Sequence, residues 1–383
     1  MHGNIEKVKK KSYLMRRRGL ILVLKGIGSV PIVVVFLVAI IGFIAGSCRK
    51  THNVDASGST SEMRLVKIGE IGANEEKAGV VLFNPNTLMI DKEGNIYVLN
   101  SYSVSKFSRG GMFLREFGQR GKGPGELSSP CSFYVDASQN VFVLDNASAL
   151  VSEFTNDGTF VKSFRTVVFP EDIVVDSHGS VFVSSTSLAN MDMNRKHRMT
   201  HIFKYDSSGE FMCTFGDKKI NSFDPVEDMI NKGYMTIDES DHVFYCFKYR
   251  NEIREYADDG RFVRAFSNDL GYEVPLPKGN VRRSSSGQQV DISLFTPWIC
   301  RGISCGQGQN VWTIVPTGPR DSFKRGALLF VDVFDSVGEP IDRIPLREAG
   351  FSLCFAVNVK AQMFALLRYS PLPIVSFYKI LRK

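Results

Sequence analysis

The glycine-rich segment from Gly118 to Gly125 is the first stretch whose residue types and spacing could do chemistry. Closely spaced glycines can bind phosphate through backbone N–H groups, as in P-loops and dinucleotide-binding turns. A P-loop needs Lys and then Ser or Thr where this chain has Pro124, and the dinucleotide fingerprint needs a glycine where it has Glu126. We therefore predict a connecting loop and no phosphate site.

Two histidines, His197 and His201, have the i, i+4 spacing that places both imidazoles on one side of a helix or a strand. A zinc site needs three or four ligands, and neither an HExxH motif nor a cysteine-rich segment lies nearby. Both histidines fall in a polar insertion. We expect solvated loop histidines and not metal ligands.

Four aspartates recur at the same place in a repeated pattern: Asp91, Asp136, Asp176 and Asp238. A ring of carboxylates could hold calcium. A residue that recurs in this way is more typical of a turn, in which the carboxylate accepts hydrogen bonds from its own backbone. We therefore expect turn-forming aspartates.

Six cysteines follow Cys48, and only Cys300 and Cys305 are close in sequence. Their spacing matches no metal or redox motif. Most of the six lie singly within apolar strands, which is typical of small buried side chains. A disulfide between Cys300 and Cys305 is the open alternative.

The positive charge of the chain is confined to its start. The 383 residues carry a net charge of +7, and residues 1–47 contain eight basic residues and one acidic residue. The rest of the chain is therefore neutral. A neutral body lacks the basic surface that nucleic-acid binding requires, so we expect no nucleic-acid partner.

A basic segment, residues 1–25, precedes an uncharged apolar segment, residues 26–47. The apolar segment is long enough to cross a hydrocarbon core of roughly 30 Å, and the positive charge before it keeps the start of the chain in the cytoplasm. Residues 48–62 are polar and predict a flexible tether. The remainder, residues 63–383, is expected outside the cytoplasm.

The apolar segment ends in Ile-Ala-Gly-Ser before Cys48, with small residues where a signal peptide is cleaved. This resembles the lipobox of bacterial lipoproteins, which implies a lipidated Cys48 and a periplasmic or outer-membrane location. Ala45 stands where that family usually has Leu or Val, and the apolar segment is longer than a usual signal core. An uncleaved signal anchor is the alternative.

From residue 63 onward the sequence repeats one pattern of four short strands joined by turns. The clearest copy, Thr87 to Gly118, has an Asp-x-x-Gly turn after its first strand and a Gly-Gly turn before its last. Six copies begin near residues 87, 133, 173, 235, 302 and 351. Between the fourth and fifth copies, Asn268 to Thr296 breaks the pattern and predicts an extended mobile loop.

One four-stranded antiparallel sheet cannot bury both of its faces, whereas six sheets around an axis bury each against its neighbours. The strand-like segment MRLVKIGEI at Met63–Ile71 precedes the first copy and has no partner there. We expect it to complete the sixth sheet, because a ring closed by both ends of the chain exposes no long edge.

The repeats resemble the NHL-repeat family of six-bladed β-propellers. The resemblance rests on FGQRGKGPGELSSP from Phe117 to Pro130, on the Asp-containing pattern from Val135 to Asp145, and on NDGTFV. Together with the leader, the chain is similar to bacterial six-bladed propeller lipoproteins. The resemblance implies an all-β fold of six four-stranded antiparallel blades, closed by the N-terminal strand and preceded by the signal or anchor helix.

In propellers, residues that enter the innermost strands line the mouth of the central channel, where ligands commonly bind. The resemblance therefore implies seven candidate ligand-binding residues: Asn86, Ser132, Glu171, Asp172, Tyr234, Trp298 and Arg301. Their mixture of aromatic, basic and acidic side chains suits a polar organic ligand.

Two functional hypotheses follow from these observations. The first is a membrane-anchored binding module for a glycan, a peptide or a protein, without a cofactor. The second is a metal-dependent lactonase or lyase, which relatives of this propeller class include, with calcium or zinc at the channel mouth. Glu171, Asp172 and Asn86 are the candidate ligands for that metal.

Overall fold

A computed structural model describes residues 62–72, 81–186, 200–218, 230–274, 279–283, 290–294, 298–305, 309–318, 329–346, 351–369 and 372–382. The predicted segments 1–25 and 26–47, the lipidation candidate Cys48 and His197 lie outside these residues. Within the described ranges, no helix is long and apolar enough to cross a membrane.

The first three sheets follow one another along the chain, after strand β1 (Met63–Ile71). Blade 1 contains β2 (Pro85–Ile90), β3 (Ile96–Asn100), β4 (Ser103–Phe107) and β5 (Phe113–Phe117). After the short strands β6 (Gln119–Arg120) and β7 (Glu126–Leu127), blade 2 contains β8 (Pro130–Val135), β9 (Val141–Asp145), β10 (Leu150–Phe154) and β11 (Phe160–Arg165). Blade 3 contains β12 (Asp172–Val175), β13 (Val181–Ser184), β14 (Thr200–Tyr205) and β15 (Phe211–Asp217).

The other three sheets complete the set. Blade 4 contains β16 (Gly233–Ile237), β17 (Val243–Phe247), β18 (Ile253–Tyr256) and β19 (Phe262–Phe266). After the hairpin strands β20 (Gly279–Arg283) and β21 (Val290–Leu294), blade 5 contains β22 (Ile303–Ser304), β23 (Val311–Pro316), β24 (Leu329–Phe334) and β25 (Pro340–Leu346). Blade 6 contains β26 (Phe351–Asn358), β27 (Met363–Tyr369), β28 (Pro373–Arg382) and β1.

The six blades form a closed ring. Each innermost strand contacts the next, in the order β2, β8, β12, β16, β22 and β26, and β26 contacts β2 again. Every residue of the second strands β9 and β17 is buried. Such strands are almost entirely apolar because neighbouring blades cover both faces of their sheet. The predicted all-β fold of six four-stranded antiparallel blades is confirmed.

The N-terminal strand closes the ring as expected. β1 pairs with β28 in antiparallel register, so the sixth sheet is built from both ends of the chain. Glu70 on β1 accepts hydrogen bonds from Arg368 on β27 (2.6 Å) and from Ser376 on β28 (3.0 Å). These contacts join the two ends by side chains as well as by backbone pairing.

Short turns join the first two strands of most blades at one end of the ring, called here the turn face. In residues 91–95, Asp91 Oδ1 accepts hydrogen bonds from the backbone N–H groups of Glu93 (2.9 Å) and Asn95 (2.8 Å). Equivalent carboxylate-to-backbone bonds occur at Asp136, Asp176 and Asp238. The repeated aspartates are therefore turn formers, as the repetition predicted.

Two buried lysines, Lys106 on β4 and Lys204 on β14, lie beside the turn aspartates. Lys106 Nζ lies 3.9 Å from Asp91 Oδ2 and 5.0 Å from the centre of the Tyr97 ring. Lys204 Nζ lies 3.7 Å from the carboxylate of Asp176 and 5.0 Å from a phenylalanine ring. Each ammonium group thus has both an aromatic ring and a carboxylate, which offset the cost of burying its charge.

The glycine-rich segment is a connecting loop between blades 1 and 2, as predicted. The Glu126 carboxylate accepts hydrogen bonds from the backbone N–H groups of Lys122 (2.9 Å) and Gly123 (2.8 Å). A Cβ atom at Gly121 would displace that carboxylate from its present position. The loop therefore binds its own anion.

Two expectations were wrong, and one alternative is not realised. The segment Asn268 to Thr296 is not a plain loop, because β20 and β21 pair as an antiparallel hairpin inside it. His201 is not a solvated loop residue, since β14 begins at Thr200 and places the imidazole fully buried beside Tyr245. Cys300 and Cys305 are free thiols.

Asp172 connects three adjacent innermost strands. Its Oδ1 accepts a hydrogen bond from Ser132 Oγ on β8 (2.6 Å), and its Oδ2 accepts one from the backbone N–H of Met235 on β16 (2.7 Å). Burial is the largest influence on this carboxyl and raises its pKa to about 6, although the hydrogen bonds act in the opposite direction. The ionised form is therefore costly in the folded ring.

We expect Asp172→Asn to remove a pH-dependent part of the stability. Because the folded pKa lies above the ordinary 3.8, the contribution of Asp172 is complete below about pH 4 and is lost as the pH rises through about 6. Relative to Asp172→Asn, the natural protein should lose about 1–2 kcal/mol of unfolding free energy over that interval. Urea unfolding of both full-length proteins at several pH values measures this, and a difference that does not change with pH would contradict it.

Candidate functional site

The end of the ring opposite the turn face carries the long connections and is called here the loop face. All innermost strands begin there, and the second strand of each blade ends there because it runs antiparallel to the first. In blade 3 the connection from Ser184 to Thr200 is much longer than the five-residue turns of the other face. Variable segments therefore collect at one mouth of the channel.

The candidate residues at this mouth divide by position. Ser132 and Asp172 are hydrogen-bonded to each other at the ring wall. Tyr234 and Trp298, with Arg301, lie together across blades 4 and 5. Glu171 lies between blades 3 and 4. Asn86 is exposed at the start of β2 in blade 1. Blade 1 is opposite blade 4 in a six-membered ring, so Asn86 is separate from the residues of blades 4 and 5.

Lys248, which the sequence analysis did not single out, is at the centre of this group. Its Nζ lies 4.1 Å from the centre of the Trp298 ring, 5.7 Å from that of Tyr249 and 6.0 Å from that of Tyr234. The side chain is half-buried. In the described part of the chain, no carboxylate lies within ion-pair distance of this ammonium.

Backbone hydrogen bonds hold Lys248 in place. It directly follows β17, and its N–H donates to the carbonyl of Lys232 (2.8 Å), just before β16. Its carbonyl accepts from the N–H of Ile299 (2.8 Å), in the segment that leads into blade 5. The lysine is thus fixed between two blades, with Trp298 next to one of its anchors.

A second cation contacts the same tryptophan. The guanidinium carbon of Arg301 lies 5.3 Å from the Trp298 ring centre, and the side chain is only 2% exposed. Burial lowers the pKa of Arg301 to about 10. Burial, followed by the nearby Lys232, lowers the pKa of Lys248 to about 8, and Glu171 partly offsets this. The wall formed by blades 4 and 5 is therefore electropositive and poorly solvated.

The acidic side of the site is already satisfied. Glu171 Oε1 lies 2.6 Å from Lys232 Nζ and accepts a hydrogen bond from Thr186 Oγ1 (2.9 Å). The Thr186 carbonyl in turn accepts from Lys218 Nζ (3.0 Å). Glu171 therefore balances Lys232 and leaves the positive charge of Lys248 to be balanced by something else.

The predicted metal ligands come from two non-adjacent blades. Asn86 lies in β2 of blade 1, whereas Glu171 and Asp172 lie at the start of blade 3. The carboxylate oxygens of Asp172 accept hydrogen bonds from Ser132 and from backbone N–H groups. Among the described residues, no group of three His, Cys, Asp or Glu side chains could hold a metal ion. The arrangement is instead suited to binding an anionic group next to aromatic rings.

We name Lys248, Trp298, Arg301, Tyr234 and Tyr249 the cationic pocket. Three of these residues were predicted from the sequence, whereas Lys248 and Tyr249 were not. The prediction concerned only the starts of the innermost strands. The ends of the second strands reach the same face, so the KYRN segment after β17 carried the missing signal.

Comparisons with known proteins agree with this architecture. Residues 80–290 match the model of the DUF5128 family, described as a 6-bladed beta-propeller. No curated protein is detectably similar in sequence. A solved structure of a Bacteroides fragilis NCTC 9343 protein assigned as exported has a TM-score of 0.55 and 12% identity, and the alignment covers 85% of this chain and 97% of that one.

A second solved structure, a DUF4221 family member from Bacteroides vulgatus ATCC 8482, has a TM-score of 0.52 and 12% identity, with 84% of this chain and 99% of that one covered. At such identities the likeness concerns the fold. The family match spans more than half of the sequence and the six blades close as a ring, so the chain belongs to the DUF5128 family of six-bladed β-propellers.

Proposed function

We propose that the protein is a membrane-anchored, extracytoplasmic binding module that holds a carboxylate-bearing glycan in the cationic pocket. The observation that carries this proposal is the half-buried ammonium of Lys248, which lies against aromatic rings and has no carboxylate within ion-pair distance in the described structure. A bound carboxylate would supply the missing counter-charge.

The balance of charge favours an acidic ligand over a neutral one. Lys232 has its partner in Glu171, whereas Lys248 and Arg301 both face Trp298. In a poorly solvated site a charge-assisted hydrogen bond is stronger than in water. The faces and edges of Tyr234 and Tyr249 add apolar surface of the kind that packs against a sugar ring.

The leader supports the proposed location. A basic start, the apolar segment 26–47 and the small residues before Cys48 are together typical of an exported, lipid-anchored chain. The polar tether 48–62 would let the propeller stand clear of the membrane surface. The loop face could then meet a soluble ligand.

The binding proposal is tested with oligogalacturonate and its methyl ester, in which a methyl group replaces the negative charge of each carboxylate. Trp298 is partly exposed whereas Trp312 is buried, so binding of the acid to the full-length protein in detergent should change tryptophan fluorescence. We expect Lys248→Met to weaken acid binding about tenfold or more, as for a lost hydrogen bond to a charged group. The methyl ester should bind more weakly to the natural protein.

Arg261→Met is the matched control, because Arg261 is an exposed cation on the turn face of the same blade. It should bind the acid as the natural protein does. Equal affinity for the acid and the ester would contradict a charged pocket. Saturable binding of acidic peptides with no binding of either saccharide would replace the glycan by a peptide.

Elemental analysis tests the lactonase or lyase alternative. Because both oxygens of Asp172 and Oε1 of Glu171 already accept hydrogen bonds, and Asn86 lies two blades away, we expect well below one calcium or zinc per chain. Mass spectrometry of the full-length protein, purified without chelator, measures this. One tightly held metal per chain, lost in Asp172→Asn, would instead favour the enzyme.

The anchor is tested by metabolic labelling in a bacterial host with an alkyne-bearing fatty acid. We expect the natural chain to take up the label and to lose residues 1–47, since the segment before Cys48 is similar to a lipobox. Cys48→Ser should remain unlabelled. If the natural chain stays unlabelled and uncleaved in the membrane, the uncleaved anchor is correct.

A further inference from the structure

Three lysines in the described structure have an ammonium group near an aromatic ring, and they differ in one respect. Lys106 and Lys204 each have a turn aspartate within 4.0 Å, at 3.9 and 3.7 Å. Lys248 has three rings around it, on Tyr234, Tyr249 and Trp298, and no such carboxylate. The first two lysines have a carboxylate as counter-charge, whereas the third has none among the described residues.

Several neighbouring groups shift the pKa of Lys248. Burial is the largest influence and disfavours the ammonium form, as do the nearby charges of Lys232 and Arg301, whereas Glu171 favours it. The two facing phenols stay neutral, since burial raises the pKa of Tyr234 and of Tyr249. With its pKa lowered to about 8, a sizeable fraction of Lys248 is the free amine near neutral pH.

We propose that Lys248 is a nucleophilic amine that captures the carbonyl group of an organic acid as an imine. Amines become nucleophilic in proteins when they are desolvated or lie next to other cations, and both conditions hold here. The ligand class is an acid that carries an aldehyde or ketone, such as a 2-oxo acid or the open-chain reducing end of an acidic sugar. The inference rests on the proposed function only in that the same pocket attracts the carboxylate.

The reaction is balanced without a further reagent. The ammonium first releases a proton to solvent, and the nitrogen lone pair then forms a bond to the carbonyl carbon. The carbonyl π electrons move to oxygen, which receives the two amine hydrogens in turn and leaves as water. The C=N bond replaces the C=O bond with no change of oxidation state, and hydrolysis reverses the capture.

Arg301 would orient the acid. Arg301 and Lys248 share the Trp298 ring as a neighbour. A 2-oxo acid whose carboxylate is drawn towards Arg301 has its carbonyl carbon close to the Lys248 nitrogen. A neutral ketone lacks this attraction and should react more slowly.

Reductive trapping with pyruvate and cyanoborohydride tests the capture on the full-length protein in detergent. Peptide mapping should find the carboxyethyl group chiefly on Lys248, because its free-amine fraction near neutral pH is roughly a hundred times that of an ordinary lysine. The fraction of Lys248 that can add to the carbonyl should rise with pH towards about 8, whereas cyanoborohydride reduces the protonated imine, so trapping should be fastest between neutral pH and about 8. Lys106 and Lys204 are internal controls that should remain unmodified.

Lys248→Arg keeps the positive charge but cannot form the imine. We expect it to abolish the dominant adduct, because a guanidinium has no free amine to attack the carbonyl carbon. Adducts spread over the exposed lysines, or equal trapping in Lys248→Arg, would overturn the inference. Trapping at Lys248 without any glycan binding would overturn the proposed function alone, and glycan binding without trapping would overturn the capture alone.

Discussion

Closure of the ring is the constraint on which every other feature of this protein depends. Each blade is a sheet with two apolar faces, and it is stable only between two neighbours. A gap at any point would expose strands such as β9 and β17, in which every residue is buried. The sixth blade closes the ring, because it pairs β1 with β28 from opposite ends of the chain. The contact between Glu70 and Arg368 joins the same two ends.

The two ends of the ring differ in how uniform their connections are. In blades 1 to 4 the turn face has nearly identical five-residue turns, each held by an aspartate. The loop face carries connections of unequal length and the cationic pocket. Because the backbone register of each blade is set by the turns at the other end, the loop face can change its side chains without loss of the fold.

The fold could be predicted almost completely from the sequence, because one pattern of strands and turns repeats six times. The sequence also placed Trp298, Tyr234 and Arg301 at one mouth. It missed Lys248, since a strand end is a less conspicuous position than a strand start. It misjudged His201, because polar neighbours suggested a loop whereas β14 begins one residue earlier. The side-chain environment of both residues comes from strands distant in sequence, which local patterns do not report.

Lysines in the same protein show how position decides chemistry. Lys106 and Lys204 have an aspartate close to the ammonium, which partly offsets the cost of burying the charge. Lys248 is held just as firmly, by backbone hydrogen bonds to Lys232 and Ile299, but its neighbours are rings and cations. A protein gains no stability from burying a cation in that way. An arrangement that is costly for folding and yet rigidly built is best explained by a ligand that completes it.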